Sequence, residues 1–256
     1  MEKAQALKRK IVGAMIYPAV IISVAVLIVL GIMIVVVPKF EEIFRDFDTE
    51  LPALTTFLIT TSKWIGGGLE GQMIPGWAWI IFSPVVIFVF SKVVRKTEFG
   101  RAAVDNIKIR VPIIGKLLRF TAIARFARTL STLIHAGVPI LESMMITRDT
   151  VGLHPYEQAL QKVHDSIREG ETIAQPLRES KVVDELVVNM IDVGEETGEL
   201  DKMLGKVADN YDEQVDTVVG ALVSVLEPLM VVALGGIVGF IVIALFLPLV
   251  TLIQSV

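Results

Sequence analysis

The 256-residue sequence has no cysteine, which excludes a disulfide framework and any thiolate metal site within it. Histidine is scarce, and His135, His154 and His164 do not stand at a metal-ligand spacing such as H-E-x-x-H. His135 lies beside a helix-ending Ala-Gly, and His154 precedes Pro155. His164 and Asp165 are neighbours, so they point to different sides of a helix. No Walker loop and no nucleophile elbow occurs, so ATP hydrolysis must come from elsewhere and no catalytic residue is assigned. The glycine run in "GGGLEGQMIPG" is not followed by Lys-Ser/Thr and reads as a flexible joint. Basic runs with interleaved aromatics are missing and the net charge is −4, which excludes nucleic acid as a partner. No stretch alternates with period two for long enough to make a strand.

What the sequence does have is apolar length. Hydrophobic residues make up 53% of it and charged ones 20%, above the apolar share of about 45–50% usual for soluble domains. Mean hydropathy is +0.66, pointing to an integral membrane protein with a sizeable polar part. Three segments are long enough to cross a bilayer core of about 30 Å at about 1.5 Å per helical residue. They lie at 11–38, 77–94 and 218–250, the last including its lead-in. The second opens on Trp77 and Trp79, which suit an interfacial anchor, and carries Ser83-Pro84 at its centre. "MEKAQALKRK" resembles the basic start of a signal peptide, but the run that follows is too long and has no small-residue cleavage pattern.

The flanking charges give an orientation. Lys3, Lys8, Arg9 and Lys10 precede the first span; Lys92, Arg95, Lys96, Arg101, Lys108 and Arg110 follow the second. The connector at 39–76 carries Glu41, Glu42, Asp46, Asp48, Glu50 and Glu70 against only Lys39, Arg45 and Lys63. The positive-inside rule places 1–10 and 95–217 in the cytoplasm, and 39–76 and 251–256 outside. Within the connector, "LPALTTFLITTSKWI" predicts an interfacial helix starting at Pro52.

The region 95–217 reads as a six-helix, bundle-like domain, and the fold class is all-α. Phe120, Ile123, Ala127, Leu130 and Ile134 recur at three- and four-residue steps. Gly137 stops that helix and Pro139 starts the next. Tyr156, Leu160, Val163 and Ile167 give a third stripe, and two short helices follow. The sixth begins after "GEETG", its stripe of Leu200, Met203, Leu204, Val207, Tyr211 and Val215 running on into the third span.

A duplication shows in the prolines. Shifted by 210 residues, Pro18 falls on Pro228 and Pro38 on Pro248, with an unbroken apolar run between each pair. Twenty residues make about 30 Å of helix, so each pair brackets one bilayer core. Only ten residues precede the first span, whereas a whole helical domain precedes the third. Most of a first domain is therefore expected to be missing.

The motifs "ARFARTLSTLIHAGVPILESM", "VGEETGELDKML", "YP" and "VVPKF" at the ends of span 1, and "EPLM…GFIVIALFLPL" resemble the type II secretion system F / type IV pilus assembly platform family. The likeness covers essentially the whole sequence. It implies a non-enzymatic, multi-pass protein of the bacterial inner membrane, without cofactor or metal, that couples a cytoplasmic motor ATPase to pilin assembly or protein secretion. The partners it implies are that ATPase, other inner-membrane machine components, pilins or pseudopilins, the lipid bilayer, and further copies in a homo-oligomer. The resemblance also implies two homologous cytoplasmic domains, so this is an amino-terminally short member. A small membrane transporter or channel subunit is the alternative, but the spans carry almost no ionisable groups.

Three polar features are candidate contact sites. Gly194, Glu195, Glu196, Gly198, Glu199 and Asp201 read as turn and amino-terminal charge for the last helix, as a surface for a basic partner, or as a divalent-cation site. Arg125 and Arg128 either bind acidic groups of another subunit or pair within the bundle. Gly235 and Gly239 form G-x-x-x-G, a notch for self-association or for packing on span 1 or 2. Glu227 sits at the cytoplasmic interface if Pro228 marks it.

Overall fold

The computed structural model describes residues 2–46, 51–68, 74–95 and 97–254. Asp48, Glu50, Glu70, Lys96, residues 69–73 of the glycine-rich joint, Met1 and the last two residues of the tail lie outside that set. The described residues are helical throughout, without strands, as the periodicity requires. The helices are α1 (Glu2–Gly31), α2 (Val37–Asp46), α3 (Ala53–Gly66), α4 (Gly76–Val94), α5 (Glu98–Arg110), α6 (Ile114–His135), α7 (Ile140–Val151), α8 (His154–Arg168), α9 (Ala174–Ser180), α10 (Glu185–Thr197) and α11 (Leu200–Gln254). A π-helical turn, Ile32–Val36, joins α1 to α2 without a break.

The chain divides into two compact units. The first is built on Ser91–Leu222. Its core is the set of stripes legible in the sequence: Ile123, Ala127 and Leu130 of α6, Leu160 and Val163 of α8, and Leu204, Val207 and Tyr211 of α11 are all buried. Ile191 and Val187 of α10 and Leu177 of α9 close the core. Seven helices, α5 to α11, lie or begin in the region 95–217 among the described residues, not six. The addition is α5, whose start is set by Thr97, its side chain accepting from the Gly100 amide at 3.2 Å. Its basic residues, Arg101, Lys108 and Arg110, read in the sequence only as the flank of the second span.

Turns in this unit follow from backbone rules. At the end of α6 the Val138 amide reaches the Leu133 carbonyl at 3.0 Å, and the Gly137 amide the Ile134 carbonyl at 2.9 Å. That is a Schellman motif, and Gly137 holds the φ of +78° it needs. Pro139 then caps α7 one residue ahead of its first helical position.

The second unit takes Val12–Phe90 and Val223–Val256. It holds the helices long and apolar enough to cross a membrane, in Val12–Arg45, Gly76–Val94 and the apolar part of α11. None of the most apolar window of α4 is buried by protein, and Phe88 and Phe90 are two-thirds exposed. Such surface suits lipid or an apolar partner rather than water. Leu58 and Ile59 of α3 pack with Leu30, Met33, Val37, Ile241, Ala244 and Leu245 in a small core. Ser23, the plain polar residue inside the first span, turns its hydroxyl onto the Ala19 carbonyl at 2.7 Å.

Leu130 is fully buried in the first core, whereas Leu186 is 57% exposed. Leu130→Ala should cost about 2–5 kcal/mol and Leu186→Ala no more than about 0.5 kcal/mol. Denaturant unfolding of the chain in mild detergent measures both.

Candidate functional site

Three of the four prolines singled out in the sequence lie inside helices, and the fourth, Pro38, is the second residue of α2, directly after the π-helical turn. Pro18 is within α1, Pro38 within α2, and Pro228 and Pro248 within α11. A proline inside a helix has no N–H to return to the preceding turn, so a carbonyl is freed. In apolar surroundings that carbonyl must find another donor. Pro248 frees the carbonyl of Ala244, and the Thr55 hydroxyl donates to it at 2.6 Å. Ahead of Pro38 the helix is in π register, with the Val37 amide bonded to the Ile32 carbonyl. The next bond in that register would end on Met33, and the Ser62 hydroxyl donates to the Met33 carbonyl instead.

Thr55 and Ser62 are both buried and stand seven residues apart, two turns along one face of α3. A single helix thus serves the carbonyls freed by Pro38 and by Pro248, the two prolines that the 210-residue shift superposes. Among the described residues no side-chain hydroxyl reaches Ala14 or Ser224, the carbonyls four residues before Pro18 and Pro228. Neither Thr55 nor Ser62 was singled out in the sequence, because a hydroxyl's role there depends on a carbonyl 189 or 29 residues away.

In the first unit, α6 and the start of α11 run antiparallel along a polar seam. The Arg128 guanidinium donates to Asp209 at 2.7 Å and Asp212 at 2.8 Å. Desolvation alone would lower its pKa, but the two carboxylates together outweigh burial and raise it. Ser131 donates its hydroxyl to the Asp201 carbonyl at 2.8 Å, and His135 Nδ1 lies 2.9 Å from the Asp201 carboxylate. Arg125 turns to α7 and donates to the last carbonyls, Thr150 and Val151, at 3.3 Å each. Both arginines thus bond within the bundle, Arg128 half-buried and Arg125 exposed.

The acidic segment is dispersed in the same way. Glu195 does not serve the amino end of α11, as its sequence position suggested. Its carboxylate accepts the amides of Ile173, at 2.8 and 3.0 Å, and Ala174, at 3.0 Å, capping α9. Gly194 is buried where a Cβ would lie 3.0 Å from Leu200 Cα, so glycine gives α10 its tight approach to the start of α11. Gly198 ends α10 at φ +72°. Glu196 is exposed, and Glu199 pairs with Lys202 one turn on. Among the described residues no three His, Asp or Glu side chains converge on one point. Buried Asp105, also missed in the sequence, accepts the His154 amide at 3.3 Å at the start of α8 and pairs with Arg95 at 3.2 Å. Gly235 and Gly239 face open space: among the described residues a Cβ on either would meet nothing within 4 Å.

Two outcomes are expected. Thr55→Val and Ser62→Ala, each stranding a buried carbonyl, should destabilise the membrane helices by about 0.6–1.7 kcal/mol. Thr61→Val, which loses only an exposed bond to its own helix, should change little; unfolding in detergent compares the three. At Asp201 the hydrogen bond from His135, followed by the Lys202 amide, holds the carboxyl below its usual range despite desolvation. A carboxyl lowered in the folded state stabilises fully above the unfolded value of about 3.9 and loses that contribution as pH falls through the folded value. The stability difference between the wild type and Asp201→Asn should therefore be present at pH 6 and vanish on acidification below that window, followed by thermal melts across pH.

A profile described as type II secretion system (T2SS), protein F matches residues 126–248. The sequence is 38% identical to the type IV pilus assembly protein PilC of Myxococcus xanthus over 255 residues, which cover 100% of this chain and 59% of that protein. It is 35% identical to the type IV pilus assembly protein TapC of Aeromonas hydrophila, over 97% of this chain and 58% of the relative. With the type II secretion system protein F of Aeromonas hydrophila it shares 35% identity over 98% of this chain and 63% of the relative. The chain thus spans about three fifths of the length of the curated relatives it matches. Matches that run the length of this chain, to pilus assembly and secretion proteins alike, agree with the profile: the chain belongs to the type II secretion system protein F family.

Proposed function

We propose that the protein is an inner-membrane platform of a type IV pilus or type II secretion machine. Its helical unit, 95–217, faces the cytoplasm and receives work from a motor ATPase, which the spans pass on to pilins or pseudopilins. The names of its relatives support the machine; the basic residues flanking the first two spans support the orientation. The open face at Gly235 and Gly239 supports a homo-oligomer, since small residues let helices approach closely.

The observation that carries the mechanical part is α11. It is one helix of 55 residues, tied to α6 near its start by Arg128 and Ser131 and apolar in its second half. Its interior prolines, Pro228 and Pro248, do not end it. An unbroken helix is stiff along its axis, because every axial displacement must be shared by the hydrogen bonds of all its turns. A load applied to the bundle would travel along α11 rather than be lost in a loop.

Insertion of two glycines after Asp216 interrupts this helix at about 1 kcal/mol per glycine in local helix stability. The expected result is loss of piliation or secretion, with membrane insertion and abundance unchanged. Assembly at the wild-type rate in that variant would overturn the lever.

A further inference from the structure

The first unit carries a cavity of about 580 Å³ between the α5–α6 turn, α8 and the α9–α10 turn, which the platform role does not use. That volume lies within the range of about 300–1,000 Å³ typical of small-molecule sites. Four cationic residues line it: Arg110, Lys116, Arg119 and Lys181. Among the described residues none of the four forms an ion pair, although Lys116 lies 5.5 Å from the Phe120 ring centroid. The one acid in the lining, Asp184, is already the acceptor of the Tyr211 hydroxyl.

Tyr156 also lines the cavity. It is 4% exposed, and its hydroxyl is buried without a hydrogen-bond partner among the described residues. A buried orphan donor costs about 1–3 kcal/mol, so its persistence calls for a reason. Burial, only partly opposed by the charge of Arg119, holds its phenol far above the usual range, so the group remains a donor at any physiological pH.

The backbone around the cavity is strained at two places. Ile113, a β-branched residue, has φ +65° and ψ −58°, and the Ile114 amide bonds back to the Pro112 carbonyl at 2.8 Å. This is a γ-turn of the rare positive-φ kind. The turn is locked by Gly115, where a Cβ would lie 2.0 Å from the Ile109 carbonyl oxygen. Lys181, on the opposite turn, has φ +54°. Non-glycine residues held in such conformations gather at ligand sites.

We infer that this cavity is a binding site for a phosphate ester. The four cations exceed Asp184 by three charges, matching a phosphate dianion better than a carboxylate. Arginine forks bind phosphate oxygens two at a time, and the Tyr156 hydroxyl supplies a neutral donor. Val111 and Ile113, partly exposed at the rim, suit the carbon part of the ester. The ester is either the headgroup of a phospholipid or a soluble metabolite; the chemistry of recognition is common to both.

Isothermal titration of the full chain in uncharged detergent tests the site, with phenyl phosphate as the soluble probe and dihexanoylphosphatidic acid as the lipid probe. Saturable binding of at least one probe is expected. Binding of both assigns a soluble ester site open to lipids, and binding of the lipid alone assigns a headgroup site. Arg119→Gln should weaken binding about tenfold, with part of it restored by Arg119→Lys. Lys181→Asn, which removes the charge but suits a left-handed backbone, should do the same without altering the fold. Tyr156→Phe removes the orphan hydroxyl, so it should keep or raise the melting temperature while lowering affinity. The inference fails if neither probe binds saturably, or if affinity is unchanged in both Arg119→Gln and Lys181→Asn. Neither result depends on the platform function, because the readout is binding by the purified chain.

Discussion

The structure rests on one requirement: a backbone group that its own helix cannot satisfy must be satisfied by a side chain from another. In the membrane unit the requirement is severe, because hydrocarbon offers no water to a stranded carbonyl. Thr55 and Ser62 meet it for Ala244 and Met33, and in doing so fix α3 against α11 and the π-helical turn. In the other unit the same logic is applied at helix ends. Asp105 serves the start of α8, Glu195 the start of α9, and Arg125 the end of α7. Each of these bonds crosses from one helix to another, so capping and tertiary packing are the same interaction.

This explains why several candidate contact residues are engaged by neighbouring helices. Glu195, Arg125 and Arg128 look like ligands for a partner when read in isolation. In the fold each is consumed by a neighbouring helix, with the Arg128 pair joining α6 to α11. What is left free for other molecules is of a different kind. It includes the exposed apolar faces of the spans, the open glycine face of α11, and the cationic cavity beside Tyr156.

Periodicity carried most of the fold. The stripes of α6, α8 and α11 are continuous in the sequence because each buries one face over several turns, and all three became core. α5 lies where a run of basic residues reads as the flank of the second span, although Thr97 and Gly100 mark its start. The duplicated prolines were visible, but not their meaning. Spacing places them, whereas the hydroxyls that answer them lie on a third helix, and nothing local identifies those partners. The assignment of Glu195 went astray for a related reason: a charge beside a helix start looks like that helix's cap, and the chain fold sends it 22 residues back to α9. The Tyr156 cavity is assembled from turns far apart in the sequence, and no local pattern marks it.

The bond from Thr55 to Ala244 has a consequence for inheritance. Position 55 needs a hydroxyl because position 248 is proline, and a residue with an amide at 248 would remove that need. The two positions, almost the length of the chain apart, are one choice made twice. A lineage that exchanges the proline releases the threonine, and one that loses the threonine first carries an unanswered carbonyl until the proline follows.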